Sequence, residues 1–484
     1  MTIIVDEKWP VARLIPITSA SGVEAQERNA ASALLAVVTN VKEFGKALLR
    51  PLGAPAGVIQ TFVETPFMLE GRKVRPDGLI TVTRGGKSWV ALVETKVGAA
   101  SLEADQMHAY LDICRERGFD AVLSISNHYV TASSAYPIDV DKRRLRKVSL
   151  VHRSWVDVLT EAVVQKEHRG VSDPDQAYIL GELIRYLSDP RSGVVTFNNM
   201  GPGWTKVKDG ARAQTLRKTD PEVLDVASRW DDLVRYLCLH LTMELGRDVK
   251  PSVVKAESSV PARLANLKES LANQGVLYGA LSVPDVVGPI DLRVDLRARQ
   301  ITVGTSVDAP KEGRSRGRVS WLVRQLKQAP DDTRVEARLV RSQSSLVGSL
   351  GDIRGAPEAI LPPGDREIRA FHVSLARNMG LKRDASKGSF IETVLSTTEE
   401  FYRLVLQDLR PWKPSPPKLK PKEEVPEAQP QGVPAAVEAE VEVAHREKTE
   451  ELPQSADSAS SSFFSGGRAS LDSSNEEQDE AKNP

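Results

Sequence analysis

Residues 75–96 read RPDGLITVTRGGKSWVALVETK, and this stretch decides the fold of the first part of the chain. Two apolar runs flank Arg84-Gly85-Gly86-Lys87. Paired glycines supply the positive φ angles that a tight hairpin turn requires. With the turn centred on Gly85 and Gly86, Arg84 faces Lys87, Thr83 faces Ser88, and counting outward places Asp77 opposite Glu94. Directly opposed residues on antiparallel strands have Cβ atoms roughly 4.5–5.5 Å apart, where like charges repel. Two carboxylates so placed need compensation. One can keep a proton through a raised pKa, or a divalent cation can sit between them, Mg²⁺ being a hard ion with few protein ligands. Lys96 lies two residues beyond Glu94, so strand alternation puts it on the same face. Two acids and an ammonium group suit phosphodiester hydrolysis. The metal polarises the phosphate and acidifies a bound water, and the lysine orients that water or stabilises charge developing on the phosphate. A one-residue slip in register would undo the alignment.

Working outward, a helix is expected from about Gly22 to Leu49, with Leu34, Leu35, Val38 and Val41 on one face and Pro51 and Gly53 beyond its end. The stretch VIQTFVETPFML (58–69) reads as a strand, followed by the two hairpin strands. A second helix, about Leu102 to Arg117, precedes a buried strand, DAVLSIS, then VSLVHRSW and two further helices. The order is helix, three antiparallel strands, helix, strand: an α/β domain. Taken singly, Pro-Asp-Gly is an ordinary turn and Glu-Thr-Lys an ordinary solvated strand edge. Their coincidence across one glycine hairpin, with a helix following, is the signal.

Asp77 within RPDG, followed by Glu94-Thr95-Lys96 after an apolar strand, resembles the PD-(D/E)xK nuclease superfamily with its restriction-endonuclease-like fold. The resemblance covers roughly Ala20 to Asp157. It implies a Mg²⁺- or Mn²⁺-dependent nuclease acting on nucleic acid, chiefly DNA, in repair or in defence against foreign DNA. Asp77 and Glu94 would be metal ligands, the Thr95 carbonyl a further ligand, and Lys96 the catalytic lysine. Gln106 and Tyr110, four apart on one helix face, resemble the Q-x-x-x-Y element of exonuclease-type branches, and an ordinary polar pair is the plain alternative. Glu24 or Glu27 would be the helix acid that many members direct toward the metal, although acids also favour a helix N-terminus for its dipole alone. A rival reading is a non-catalytic nucleic-acid- or protein-binding module that retains a nuclease-like fold.

The chain has 484 residues, long enough for two domains and extras. Turn formers cluster in SDPRSGVVTFNNMGPGW, which divides the folded part near residue 195. Residues 1–195 form the nuclease-like domain. Residues 196–412 read as a second, α+β domain whose sequence carries no catalytic motif and does not fix its role, with substrate binding and regulation both open. It starts with EVLDVASRWDDLVRYLCLHLTMEL and continues through strands IDLRVDL, QITVGTSV and TRVEARLVR, a helix GRVSWLVRQLKQ, and a final helix from about Ile391 to Leu409. From Lys413 onward the chain is rich in Pro, Glu and Ser and poor in apolar residues, the composition of a disordered tail. That tail carries eight Lys and Arg against fifteen Asp and Glu, a net −7, so the preceding 412 residues carry +7 and the whole is neutral. Tail or second domain offers a route to a protein partner.

Cys114 and Cys238 lack metal-type spacing and read as buried thiols. There is no GxxxxGK[ST], HExxH or CxxC, so neither an ATP-driven motor nor a zinc enzyme is supported. No apolar run spans a bilayer, and MTIIVDEKWP lacks a signal-peptide pattern, so a cytoplasmic protein without membrane contact is expected. The basic run Lys142, Arg143, Arg144, Arg146 and Lys147 is a candidate phosphate contact, as is the Arg-rich stretch Arg314, Arg316, Arg318, Arg324, Arg334, Arg338 and Arg341. A solvated charge run is the plain reading of both. His108, His128 and His152 read as surface or packing histidines.

Overall fold

The structure, a computed structural model, describes residues 22–129, 136, 138–141, 143–194, 197–364 and 366–414. The expected tail therefore lies outside the described residues apart from Lys413 and Pro414, and so does Lys142. Among the described residues the protein is mixed α/β, with eleven α-helices and three sheets.

The first helix ends earlier than its apolar pattern suggests. Helix α1 spans Val23–Asn40 and α2 spans Lys42–Leu49, separated by Val41 in extended conformation. The run Val37-Val38-Thr39-Asn40-Val41 is poor in helix formers, and the Asn40 side chain donates to the Ala36 carbonyl at 2.7 Å. α2 then folds back against α1 at Gly45, where a Cβ would lie 2.3 Å from the Val38 carbonyl oxygen.

Strand β1 (Val58–Val63) follows. The chain turns at Glu64, whose φ is 50°, so ETPFML leaves the sheet and forms a hairpin of its own: β2 (Phe67–Leu69) with β3 (Arg72–Val74). β4 (Gly78–Arg84) and β5 (Lys87–Thr95) are the expected hairpin, with Gly85 at φ 56° and Gly86 at φ 76°. Helix α3 (Ala104–Arg117) leads to β6 (Ala121–Ser126) and β7 (Ser149–Ser154), and α4 (Trp155–Val163) and α5 (Pro174–Ser188) follow. The sheet order is β1-β4-β5-β6-β7; β1, β4 and β5 are antiparallel, whereas β5, β6 and β7 are parallel.

Both faces of this sheet are covered, which is why its strands read as nearly unbroken apolar runs. Ile80, Val82, Ala91, Val93, Leu123 and Ile125 pack under α1. Leu79, Val90, Leu92, Val122 and Leu150 pack under α3. Cys114 and Cys238 are free and buried, and burial pushes each thiol up to about 12.

Helices α6 (Trp204–Ala213) and α7 (Pro221–Leu245) open the remainder, with β8 (Lys250–Pro251), α8 (Val260–Gln274), β9 (Val276–Ser282), β10 (Ile290–Asp295) and β11 (Gln300–Asp308) next. Then come α9 (Ser315–Gln325), β12 (Arg334–Leu339), β13 (Ser345–Ser349), α10 (Leu350–Gly355), β14 (Ile368–Asn378) and α11 (Phe390–Leu404). The last helix is shorter than its expected span, because Val405 leaves helical conformation and a 3₁₀ turn at Leu406–Asp408 replaces the final turns. The second sheet has the order β13-β12-β14-β11-β10-β9-β8, and the sequence reading had missed β14, an interior strand between β12 and β11. An apolar core running from Phe197 to Leu409 belongs to this sheet and its helices. α4 packs on α7 within one compact unit that ends at Ser415. The bond joining them is an ion pair, Arg235 to Asp157 at 2.6 Å.

Gly78 follows Asp77 where α1 and β1 close over β4, and a Cβ there would sit 2.4 Å from Leu35 Cδ1 and 3.3 Å from the Phe62 oxygen. Leu35 is itself buried. Gly78→Ala is therefore expected to cost about 1–3 kcal/mol of unfolding free energy through overpacking, measured by chemical denaturation.

Candidate active site

The β4–β5 ladder pairs Gly78 with Val93 and Arg84 with Lys87, so its next position outward joins Asp77 and Glu94. Asp77 is also held on its other side, since its carbonyl accepts from the Glu64 amide at 3.0 Å, continuing the β1 ladder. Alternation places Asp77, Glu94 and Lys96 on the α3 face with Leu79 and Leu92. Glu94 is 1% exposed, and Lys96 Nζ lies 2.8 Å from its Oε1. Across the sheet end, Lys96 Nζ also reaches Glu27 Oε2 on α1 at 3.3 Å. The Tyr110 hydroxyl donates to Glu94 Oε2 at 2.7 Å, and Gln106 Nε2 donates to the Tyr110 oxygen at 2.9 Å. Asp77 Oδ2 accepts from the Thr95 amide at 2.7 Å and from its hydroxyl at 2.9 Å. Asp77, Glu94, Thr95, Lys96, Glu27, Gln106 and Tyr110 thus meet at one end of the sheet.

No protein-family model, characterised protein or solved structure matches this chain.

Other candidates lie elsewhere. Glu24 is exposed and pairs with Arg28 one turn on, 3.9 Å away. It misses the site because it sits three residues before Glu27, in the first turn of α1. In the basic run, Arg144 pairs with Asp112 of α3 and so braces that helix, while Arg143, Arg146 and Lys147 are exposed. In the Arg-rich stretch, Arg318 is 5% exposed and donates to the Ile368 carbonyl at 2.7 Å, making it a structural residue. Arg316 pairs with Glu358 at 2.9 Å and Arg338 with Glu336 at 3.3 Å. His108 accepts from the Asp141 amide at 3.3 Å, away from the carboxylates.

Several contributors to the site were missed in the sequence. Trp155 Nε1 donates to the Lys96 carbonyl at 2.9 Å and fixes the end of β5. The parallel register sets Glu94 beside Ser124 and Ser124 beside His152. Ser124 Oγ and His152 Nδ1 are 3.0 Å apart, so a polar floor continues across β6 and β7. Burial lowers His152 to about 4, outweighing the His128 carbonyl and Asp157, and leaves it a neutral ring at pH 7. The polar alternation Ser124, Ser126 and His152, Ser154 was visible in the sequence, but it gained meaning only from the parallel register with β5.

The electrostatics follow from burial. Desolvation first, then the Glu94 charge, raise Asp77 from 3.8 to about 7 against the bonds from Thr95. Burial likewise raises Glu94, opposed by the Lys96 ammonium beside it and by the bond from Tyr110. Burial works against the Lys96 charge, but Glu94, Asp77 and Glu27 outweigh it and hold the ammonium above the usual lysine range. Tyr110 is raised by burial and by Glu94, so its hydroxyl stays a donor.

Among the described residues no group of three or more His, Cys, Asp and Glu side chains forms a metal cage. The donor set still fits Mg²⁺, which binds through one or two carboxylates and retains waters or substrate oxygens. Two observations support the fit. Glu94 Oε1 is buried without a hydrogen bond, the Lys96 ammonium lying close but off the bonding direction. Both bonds to Asp77 from Thr95 fall on Oδ2, and Oδ1 has no hydrogen bond among the described residues.

Because Asp77 takes up its proton more readily folded than unfolded, the folded state binds more protons between pH 4 and 7, and stability falls as pH rises through that window. Asp77→Asn keeps an oxygen for Thr95 and removes the charge. In chelator it is expected to stabilise the protein by about 1–2 kcal/mol at pH 8, with the gain vanishing toward pH 4. Urea denaturation across pH measures it; a pH-independent difference would show that Asp77 ionises freely.

Proposed function

We propose that this protein is a Mg²⁺- or Mn²⁺-dependent nuclease of the PD-(D/E)xK type, hydrolysing phosphodiester bonds in DNA. The observation that carries the reading is the meeting of Asp77, Glu94 and Lys96 on one sheet face, with Tyr110 on Glu94 and Glu27 on Lys96. The order α1, antiparallel β1-β4-β5, α3, β6 supports the reading, since it is the succession expected of a restriction-endonuclease-like core. Asp77 and Glu94, with the Thr95 carbonyl, are the residues that would hold the ion. When bound, it would polarise a phosphate oxygen and lower the pKa of its water.

The chain's own groups divide the remaining work. Thr95 holds Asp77 through two donors, aiming the carboxylate across the end of the sheet. Tyr110, steadied by Gln106, fixes the Glu94 rotamer from the α3 side. Lys96 keeps its proton, so it serves as an electrostatic partner for a phosphate oxygen or a positioned water, and not as a base at neutral pH. Glu27 holds the ammonium from the side opposite Glu94. Repair or defence against foreign DNA is the setting such an activity would suit, in the cytoplasm. No helix of the described residues is long and apolar enough to cross a membrane.

The test is cleavage of plasmid, linear duplex, single-stranded DNA and RNA by the purified protein with Mg²⁺, with Mn²⁺ and with chelator. DNA is expected to be cut only with metal, and Asp77→Asn or Lys96→Ala to slow cutting by about 10²–10³-fold. Cutting that survives both substitutions, or no cutting of any substrate, would overturn the assignment. In the second case, nucleic-acid binding indifferent to metal would identify a non-catalytic module.

A further inference from the structure

We propose that the cleft between α2, α4 and α7 binds a small phosphorylated ligand of nucleotide size. The cleft encloses about 560 Å³, within the roughly 300–1,000 Å³ of small-molecule sites. Its walls come from both halves of the protein. Lys46 and Arg50 project from α2 and the turn after it, Arg153 from β7, Arg169 from the π-helical turn after α4, and Arg235 from α7.

Charge in the cleft is unbalanced. Of its three acids, Glu161 is taken by Arg169, Asp157 by Arg235, and Asp248 by Lys250 at 2.9 Å. Lys46, Arg50 and Arg153 form no ion pair with any described residue. Five cations therefore line the cleft against three acids, with Arg153 acting on Asp157 and Lys46 on Glu43 through space only, and a multiply charged anion offsets the remaining positive charge. A second observation points the same way: Arg235 Nε is buried with no hydrogen-bond partner among the described residues. A guanidinium fork matches phosphate oxygens, and buried donors are normally satisfied.

The position of the cleft favours a small ligand over the proposed nucleic-acid substrate. Arg153 follows His152 on β7, so the two side chains leave opposite faces of the sheet. His152 shares the face of Ser124 and Glu94, whereas Arg153 sits beside Ile125 in the layer under α1. A duplex lying on the carboxylates cannot reach the cleft through the sheet. The proposal does not rest on the nuclease reading.

The test is isothermal titration of the full chain, in chelator, with pyrophosphate, ATP, adenosine and a short DNA duplex. Pyrophosphate and ATP are expected to bind, adenosine not. The Lys46→Ala/Arg50→Ala double variant changes two exposed side chains and should weaken both about tenfold or more, with an unchanged melting curve. Arg153→Gln, its melt checked likewise, should weaken them as well. Rising salt should weaken all binding. Absence of binding by both phosphate probes, or affinity that none of these variants lowers, overturns the proposal. So does a duplex whose binding alone is sensitive to the variants, which would make the cleft a nucleic-acid contact. Because every arm is run without metal, failure here leaves the cleavage assay to decide the nuclease reading.

Discussion

Two carboxylates and one ammonium, drawn together out of water at the end of a sheet, set the terms for everything around them. Burying Asp77 opposite Glu94 disfavours ionisation of both, and the protein answers with Lys96, a tyrosine hydroxyl and two donors from Thr95. None of these could be placed without β1 fixing the Asp77 backbone on one side and Trp155 fixing the Lys96 carbonyl on the other. Such an arrangement is poor for stability alone, because a buried charge cluster rarely outperforms apolar packing. In a layer otherwise filled with Leu, Val and Ile, the proposed metal chemistry would account for that cost.

The two faces of the first sheet are put to different uses. Under α3, polar side chains run from Asp77 through Glu94 and Ser124 to His152, a line crossing four strands. Under α1 the same strands are apolar, and cations reappear only at the junction with α7. A sheet covered on both sides isolates the two regions sterically while joining them through one rigid backbone.

The hairpin register was legible because Gly85 and Gly86 leave little choice of turn, and register carries Asp77, Glu94 and Lys96 to one face. Gln106 and Tyr110 were legible from helical spacing, and Glu27 only as one of two acids. What decided between Glu24 and Glu27 was which turn of α1 lies against the sheet end, where Glu27 meets Lys96, a tertiary quantity. The break at Val41 was hidden because the apolar pattern runs on through α2 in the same phase. Strand β14 was missed because Ile368–Asn378 mixes Ala, Ser and Arg with its apolar residues. Buried in the middle of a sheet, its small residues are selected by close strand packing rather than by alternation. Trp155 and Ser124 could not be connected to the site until the parallel order of β5, β6 and β7 was known.

Helix α7 runs for 25 residues, which at 1.5 Å per residue is a rod of about 37 Å. It is pinned at Arg235 to α4, and one turn earlier Trp230 Nε1 bonds the Tyr278 carbonyl at 2.7 Å while Asp231 receives Arg263 at 2.9 Å. Anchors to both halves lie within six positions of one another, so the rod is a shared axle and not a flexible hinge. A rotation of that axle about its own length would shift Arg235 against Asp157 and Asp231 against Arg263 together.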